Sequence, residues 1–333
     1  MARVAINGLG RIGRATFKIL LDTPELEVAA INDLVPADNL AYLLKYDTVY
    51  GRYHKPVESS DQTLVVDGRE YRLFSEKDPE KLPWGELGVE FVFECTGIFR
   101  TKEGMEKHIH AGARHVILSA PEKTGEVQTV VHGVNIPDGA PQLISCASCT
   151  TNCITPVAEV MARRIGVQKA IMTTIHAYTS SQTIVDGPRK KWRRGRAGAA
   201  NFVPTSTGAA KATARALPQY SGLFDGVAVR GPVAVGSIAD IVFLTERKAS
   251  VEELNRIFRE EADSERYRGI LGVTEDPIVS SDIIQDSRAS VVDLTMTQVV
   301  DENLVKIMSW YDNEWGYSSQ MVREAVRMAG KAS

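Results

Sequence analysis

Arg3-Val4-Ala5-Ile6-Asn7-Gly8-Leu9-Gly10-Arg11-Ile12-Gly13 is the stretch that decides the fold. A strand pattern over Arg3–Asn7 runs into three glycines, and apolar residues then recur at helical spacing from Arg11 to Leu21. G-x-G-x-x-G alone is a weak signal, but between a strand and a helix it acquires a mechanism. Gly8, Gly10 and Gly13 allow a tight turn and the close approach of a pyrophosphate to a helix N-terminus, whose unpaired N–H groups attract anions. Asp33 follows Gly13 by 20 residues, at the end of a second strand pattern over Glu27–Asn32. A carboxylate there accepts hydrogen bonds from ribose hydroxyls and repels a 2′-phosphate, which favours NAD over NADP. The competing reading is a glycine turn made only for helix–sheet packing, and its place in the chain argues against it.

Outward from this unit, strand and helix patterns alternate without repeats or linkers. A second helix is expected over Ala37–Tyr46, and Thr63–Val66 and Glu70–Phe74 flank Asp67-Gly68, a tight hairpin turn. Short apolar strands follow at Glu90–Glu94, Val116–Leu118, Thr129–His132 and Leu143–Ser145. The expected class is α/β, with an N-terminal Rossmann-type doubly wound parallel sheet. The second half alternates more clearly, over Ala170–His176, Val227–Val229, Ile238–Arg247, Ser290–Gln298 and Leu304–Trp310. It reads as an α+β catalytic domain on a mixed or antiparallel sheet. Ser250 with Glu253 makes a capping box for a helix to Asp263, and Trp315–Ala329 forms the closing helix. The expected division is residues 1–148 for the cofactor, completed by the helix 314–333, and 149–313 for catalysis.

The chain of 333 residues is long enough for two domains, and its 44% apolar fraction, 24% charged fraction and net charge of -3 are ordinary for a globular protein. No apolar run approaches the roughly 20 residues that span a bilayer. The first residues read as a strand rather than a secretory leader, so a cytoplasmic location is expected. Cys95, Cys146, Cys149 and Cys153 do not make a secreted disulfide framework in a chain of this length.

Three of those cysteines fall in Ser145-Cys146-Ala147-Ser148-Cys149-Thr150-Thr151-Asn152-Cys153, directly before a helical pattern over Ile154–Ile165. Cys149 is thereby expected at a helix N-terminus, where the dipole and free N–H groups lower a thiol pKa and favour the nucleophilic thiolate. Cys146 and Cys149 also form a C-x-x-C, open to reading as a redox pair or half a zinc site, though no second pair completes a metal site. Inert buried thiols are a further alternative. Among six histidines, His176 ends a strand pattern and is the candidate base, against a purely structural role.

Ala147-Ser148-Cys149-Thr150-Thr151-Asn152-Cys153, His176-Ala177-Tyr178-Thr179, Pro204-Thr205-Ser206-Thr207-Gly208-Ala209-Ala210-Lys211-Ala212 and Ser309-Trp310-Tyr311-Asp312-Asn313-Glu314-Trp315-Gly316-Tyr317-Ser318 resemble the motifs of the glyceraldehyde-3-phosphate dehydrogenase family. They do so in the family's order and spacing, across essentially the whole chain. The resemblance implies phosphorylating oxidation of glyceraldehyde 3-phosphate with NAD, Cys149 as nucleophile and His176 as its partner. It implies that Ser148, Thr150, Arg194, Thr207 and Gly208 hold inorganic phosphate, and that Thr179 and Arg230 hold the substrate's phosphate. It places Arg11, Ile12, Asp33, Lys77, Thr96 and Ser119 along the cofactor and Asn313 on the nicotinamide carboxamide. It also implies a homotetramer built through the segment 178–201, and no metal.

Some positions depart from the family's strings. Cys146 stands where Asn is usual, Ser181 replaces an Asp or Thr, and Gly231-Pro232-Val233-Ala234-Val235 replaces Val-Pro-Thr-Pro-Asn. Asp33, Leu34 and Pro188 match the NAD-preferring pattern, with NADP the second choice through Lys77. The basic run Arg189-Lys190-Lys191-Trp192-Arg193-Arg194-Gly195-Arg196 reads as an anion cleft rather than a nucleic-acid surface, because the whole chain is acidic. Two alternatives stand beside the leading reading: erythrose-4-phosphate dehydrogenase, and a binding protein that merely keeps the fold.

Overall fold

The computed structural model describes residues 1–137 and 141–331, the side chain of Lys331 excepted. The chain divides into two compact units. The first comprises residues 1–130, 137–147 and the stretch from Met321 onward; the second comprises 131–136 and 148–320.

The first unit is a nine-stranded sheet. Its parallel part runs in the spatial order Gln128–Thr129, Leu143–Ser145, His115–Leu118, Phe91–Glu94, Ala2–Asn7, Leu26–Asn32, Arg69–Phe74. Thr63–Val66 and Val57–Ser60 extend it antiparallel. The order turns back between Ala2–Asn7 and Phe91–Glu94, so the crevice of a doubly wound sheet opens at the ends of these two strands. Val4, Ala5, Ile6, Val92 and Phe93 are fully buried, which explains why these strands read as continuous apolar runs rather than alternating ones. The turn at Asp67 and Gly68 takes positive φ at both residues, 54° and 77°, as the tight hairpin requires.

The second unit is an eight-stranded mixed sheet in the order Val203–Ser206, Phe224–Gly231, Val167–Ala177, Ser237–Thr245, Leu304–Tyr311, Ser290–Asp293, Leu271–Thr274, with Gln298–Val300 pairing on Leu304–Tyr311. The expected strand Ser290–Gln298 is interrupted. The Asp293 carboxylate accepts the Thr295 N–H at 3.1 Å and turns Leu294–Met296 into a 3-10 segment. The expected strand Thr129–His132 shrinks to Gln128–Thr129, after which the chain enters the second unit. The helices Cys149–Arg164 and Val251–Asp263 cover this sheet, with Ile154, Val157, Met161, Leu254 and Phe258 in its core. Ser250 caps the latter helix by accepting the Glu253 N–H at 3.2 Å.

Candidate functional site

In the first unit, Gly8, Gly10, Asp33, Lys77 and Thr96 line one cavity of about 500 Å³. Gly8 takes a φ of 91°, open only to glycine at low cost. A Cβ on Gly13 would lie 1.9 Å from the Gly8 carbonyl oxygen, so Gly13 faces the turn and lets the helix Arg11–Leu20 seat on it. Gly10, by contrast, has nothing within 4 Å of a Cβ, and no side chain caps the helix that begins beyond it. First-turn N–H groups thus stand beside an open, glycine-lined cradle, which is what a pyrophosphate needs. The Asp33 carboxylate is held at the rim by the N–H groups of Leu9 (2.6 Å) and Val35 (2.9 Å). These residues fit a dinucleotide.

Other expected cofactor residues are placed differently. The Arg11 guanidinium turns to Asp47 at 2.5 Å and lies over the Tyr50 ring, and Ile12 is half-buried; neither lines the cavity. Ser119 ends the strand His115–Leu118, its N–H donating to the Glu94 carbonyl at 3.0 Å, and it too lies outside the cavity lining.

In the second unit, Cys149 is the first residue of the helix Cys149–Arg164. Ser148 is its N-cap and accepts the Thr151 N–H at 3.1 Å. Cys149 Sγ lies 3.3 Å from His176 Nε2. His176 sits near the end of the strand Val167–Ala177, whose parallel pairing with Phe224–Gly231 sets His176 directly beside Arg230. His176 Nδ1 faces the Ala177 carbonyl oxygen at 2.7 Å and Arg230 Nη1 at 2.6 Å, and Nη1 also donates to Ala177 O at 2.9 Å. With its hydrogen on Nδ1, donated to Ala177, the ring presents a lone pair to the Cys149 thiol.

Burial reverses the expected electrostatics at the nucleophile. It pushes the Cys149 thiol up, although Arg230 and the Thr150 N–H pull it down. Burial, with Arg230 second, pushes His176 down to about 3. Both directions favour the neutral thiol–imidazole pair, because removing a full charge from water costs more than a helix end and one guanidinium return. The thiolate expected from helix position alone is therefore not the favoured form of this arrangement.

The anion-binding candidates cluster around the same strand ends. Thr179 Oγ1 and Ser181 Oγ are 2.7 Å apart, and Arg194 donates to Ser181 Oγ (3.3 Å) and Thr205 Oγ1 (3.0 Å). Arg230 Nε is buried without a partner. Thr207 accepts the Ala209 N–H at 3.2 Å, and exposed Gly208 is the uncapped N-terminus of the helix Ala209–Ala216. Thr150 is an exception: its hydroxyl is buried against Tyr311 OH at 2.9 Å. Asn313 Oδ1 accepts from Gly236 N (3.2 Å) and Ser237 Oγ (2.9 Å). Sequence reasoning missed Tyr311, whose hydroxyl also meets Thr174 Oγ1 at 2.8 Å and whose ring stands edge-on to His176. Its signal was the alternation of buried Val305, Ile307, Ser309 and Tyr311 along one strand. All four cysteines are free, and among the described residues no group of three His, Cys, Asp or Glu side chains could hold a metal.

Comparison with known proteins agrees with this geometry. The family model for the glyceraldehyde 3-phosphate dehydrogenase NAD binding domain matches residues 2–102, and that for the C-terminal domain of the same enzymes matches residues 148–313. Glyceraldehyde-3-phosphate dehydrogenase of Clostridium acetobutylicum is 48% identical over 330 residues, 97% of each chain. The chain belongs to the glyceraldehyde-3-phosphate dehydrogenase family. The Thermotoga maritima enzyme of that name is 48% identical over 97% of each chain, and the Geobacillus stearothermophilus one 46% identical over 99% of this chain and 98% of its own. As a glyceraldehyde-3-phosphate dehydrogenase family member with the family's NAD-binding domain, the protein is an oxidoreductase.

Proposed function

We propose that Cys149 and His176 carry out the family's reaction in this chain: NAD-dependent oxidation of D-glyceraldehyde 3-phosphate, with inorganic phosphate, to 1,3-bisphosphoglycerate. The contact of 3.3 Å between Cys149 Sγ and His176 Nε2 at a helix N-terminus, beside Arg230, carries the reading. Sγ adds to the aldehyde carbon while its proton passes through Nε2 to the carbonyl oxygen, giving a thiohemiacetal. Bound NAD supplies the acceptor for the hydride that leaves this carbon. His176 Nε2 takes the hydroxyl proton as the carbonyl re-forms, leaving a thioester on Cys149. A phosphate oxygen then attacks the thioester carbon and expels the Cys149 thiolate, so the product is an acyl phosphate.

Thr179, through its hydroxyl, and Arg230 are the proposed contacts to the substrate phosphate. Arg194, Ser148, Thr207 and Gly208 are the proposed site of the attacking phosphate, to which Thr150 contributes from its place in the first helical turn. Asn313 is proposed to hold the carboxamide, and Arg11, Ile12, Lys77, Thr96 and Ser119 to serve the cofactor with Asp33 and the glycine turn. In this division residues 1–148 with 314–333 serve the cofactor, and 149–313 serve catalysis. Asp33 at the cavity rim supports NAD; Lys77 in the same lining supports some use of NADP.

A homotetramer is proposed through the segment 178–201, supported by its exposed Ile184, Val185 and Trp192. Within the basic run, Arg194 is engaged with Ser181 and Thr205, and the adjacent Arg196 with Asp186 at 2.7 Å, which argues against a nucleic-acid surface. Four free thiols suit the reducing cytoplasm, and no described helix is long and apolar enough to cross a membrane.

The test is initial-rate NADH formation from glyceraldehyde 3-phosphate with and without phosphate, with NADP and erythrose 4-phosphate in parallel. Phosphate-dependent turnover that Cys149→Ala abolishes is the expected result. Phosphate-independent oxidation of the four-carbon sugar would replace this reading with the erythrose-4-phosphate one.

A further inference from the structure

The polar groups beneath the cofactor cavity have one consistent donor–acceptor solution. Asn32 Oδ1 accepts the Glu76 N–H and its Nδ2 donates to the Glu76 carbonyl, each at 2.9 Å, so backbone fixes the orientation of this amide. Asn32 Nδ2 also donates to Asn7 Oδ1 at 2.7 Å, which turns Asn7 Nδ2 to Glu94 Oε2 at 2.6 Å. The Trp84 indole N–H can only donate, and it donates to His108 Nδ1 at 3.0 Å. The imidazole hydrogen is thereby assigned to Nε2, which faces Glu94 Oε2 at 3.2 Å. Glu94 Oε1 accepts the Thr96 N–H at 2.8 Å. The carboxylate is surrounded by donors whose directions are set by backbone or by an indole.

Glu94, His108 and Trp84 are wholly buried and do not line the cavity, whereas Asn7, Asn32, Glu76 and Thr96 all do. The network therefore ties together four wall segments that lie far apart in sequence. Thr96 is in addition the surface on which the glycine turn rests, since a Cβ on Gly8 would meet Thr96 N at 2.8 Å. A purely stabilising role is the competing account. A buried carboxylate is a poor way to gain stability, because an apolar replacement of similar volume is often neutral or better.

We propose that Glu94, oriented by His108 and Trp84, is a positioning residue for the dinucleotide: it sets Asn7 and Thr96, and through Thr96 the Gly8 turn, in the arrangement that receives the cofactor. The proposal rests on the NAD reading above. Glu94→Gln presents an N–H where the fixed donors require an acceptor. NAD titrated calorimetrically into the whole protein is expected to bind about tenfold more weakly, roughly 1.4 kcal/mol. Both kcat at saturating NAD and the rate of Cys149 alkylation by iodoacetamide without NAD are expected to stay within about twofold of the parent. A lowered Tm with the NAD Kd within about twofold of the parent would mean a structural role only and would overturn the proposal. Should Glu94→Gln fail to fold, Trp84→Phe decides, because it removes only the indole donor and releases the His108 tautomer. About threefold weaker NAD binding is then expected, and an unchanged Kd overturns the proposal. The parent measured in the same series separates the two ideas. A parent that binds no NAD sinks the dehydrogenase reading itself, whereas a parent that binds it beside unaffected variants sinks only the positioning role.

Discussion

At Cys149 and His176, position on an element and burial push in opposite directions, and burial wins. The helix start and the strand end were legible because glycine and threonine punctuation marks them. The desolvation was not, because it depends on which distant strands close over the pair, and neither was Tyr311 OH between Thr150 and Thr174. The His176 shift has a testable sign. Its folded pKa lies at about 3, below the ordinary 6.5, so its neutral form adds stability that is fully present above pH 6.5 and is lost as pH falls toward about 3. Across that window the group contributes a slope of up to roughly 1.4 kcal/mol per pH unit. His176→Asn should remove one proton's worth of that slope in urea midpoints measured between pH 7 and pH 4, and an unchanged slope would mean that the imidazole is not held neutral.

Elements were read best where turn chemistry and capping act locally. The strand–turn–helix from Ala2 to Leu20, the hairpin at Asp67-Gly68 and the Ser250 cap all follow from residues adjacent in sequence. The strand from Ser290 was read too long because the Asp293 side chain competes with the ladder for the Thr295 N–H, a contest that periodicity does not register. Helices such as Lys102–His110 and Ala209–Ala216 were missed, being short, with weak apolar stripes. The glycine turn offers a paired test. Gly13→Ala drives a Cβ to 1.9 Å from the Gly8 carbonyl oxygen, so it should cost on the order of 1–3 kcal/mol in denaturant unfolding and also weaken NAD binding. Gly10→Ala meets nothing within 4 Å and has an ordinary φ of -67°, so unfolding should hardly change while NAD affinity falls, since the added methyl enters the cradle. Equal NAD affinity in Gly10→Ala and parent would remove the pyrophosphate from this turn.

Over the whole molecule, the change from continuous apolar strands to alternating ones foretold two different sheets. The parallel seam between Val167–Ala177 and Phe224–Gly231 was hidden, because pairing partners are set by tertiary contacts rather than by spacing. That seam brings His176 to Arg230, so half of the candidate site was readable as residue types but not as neighbours. Assembly is a property of the same scale. Trp192 is 88% exposed and Ile184 90% exposed in the single chain, and Ile184→Asp should shift sedimentation from tetramer toward smaller species; a parent that sediments as a monomer would refute the assembly. The first unit is finished by the stretch from Met321, whose Met321, Val322, Ala325 and Met328 are buried and whose Glu324 acts on the thiol of buried Cys146. During biosynthesis these residues leave the ribosome only after the entire second unit has been made. The nucleotide-binding half is begun first and closed last, so a nascent chain awaiting release exposes an incomplete apolar surface, and it is at this stage that a chaperone has most to protect.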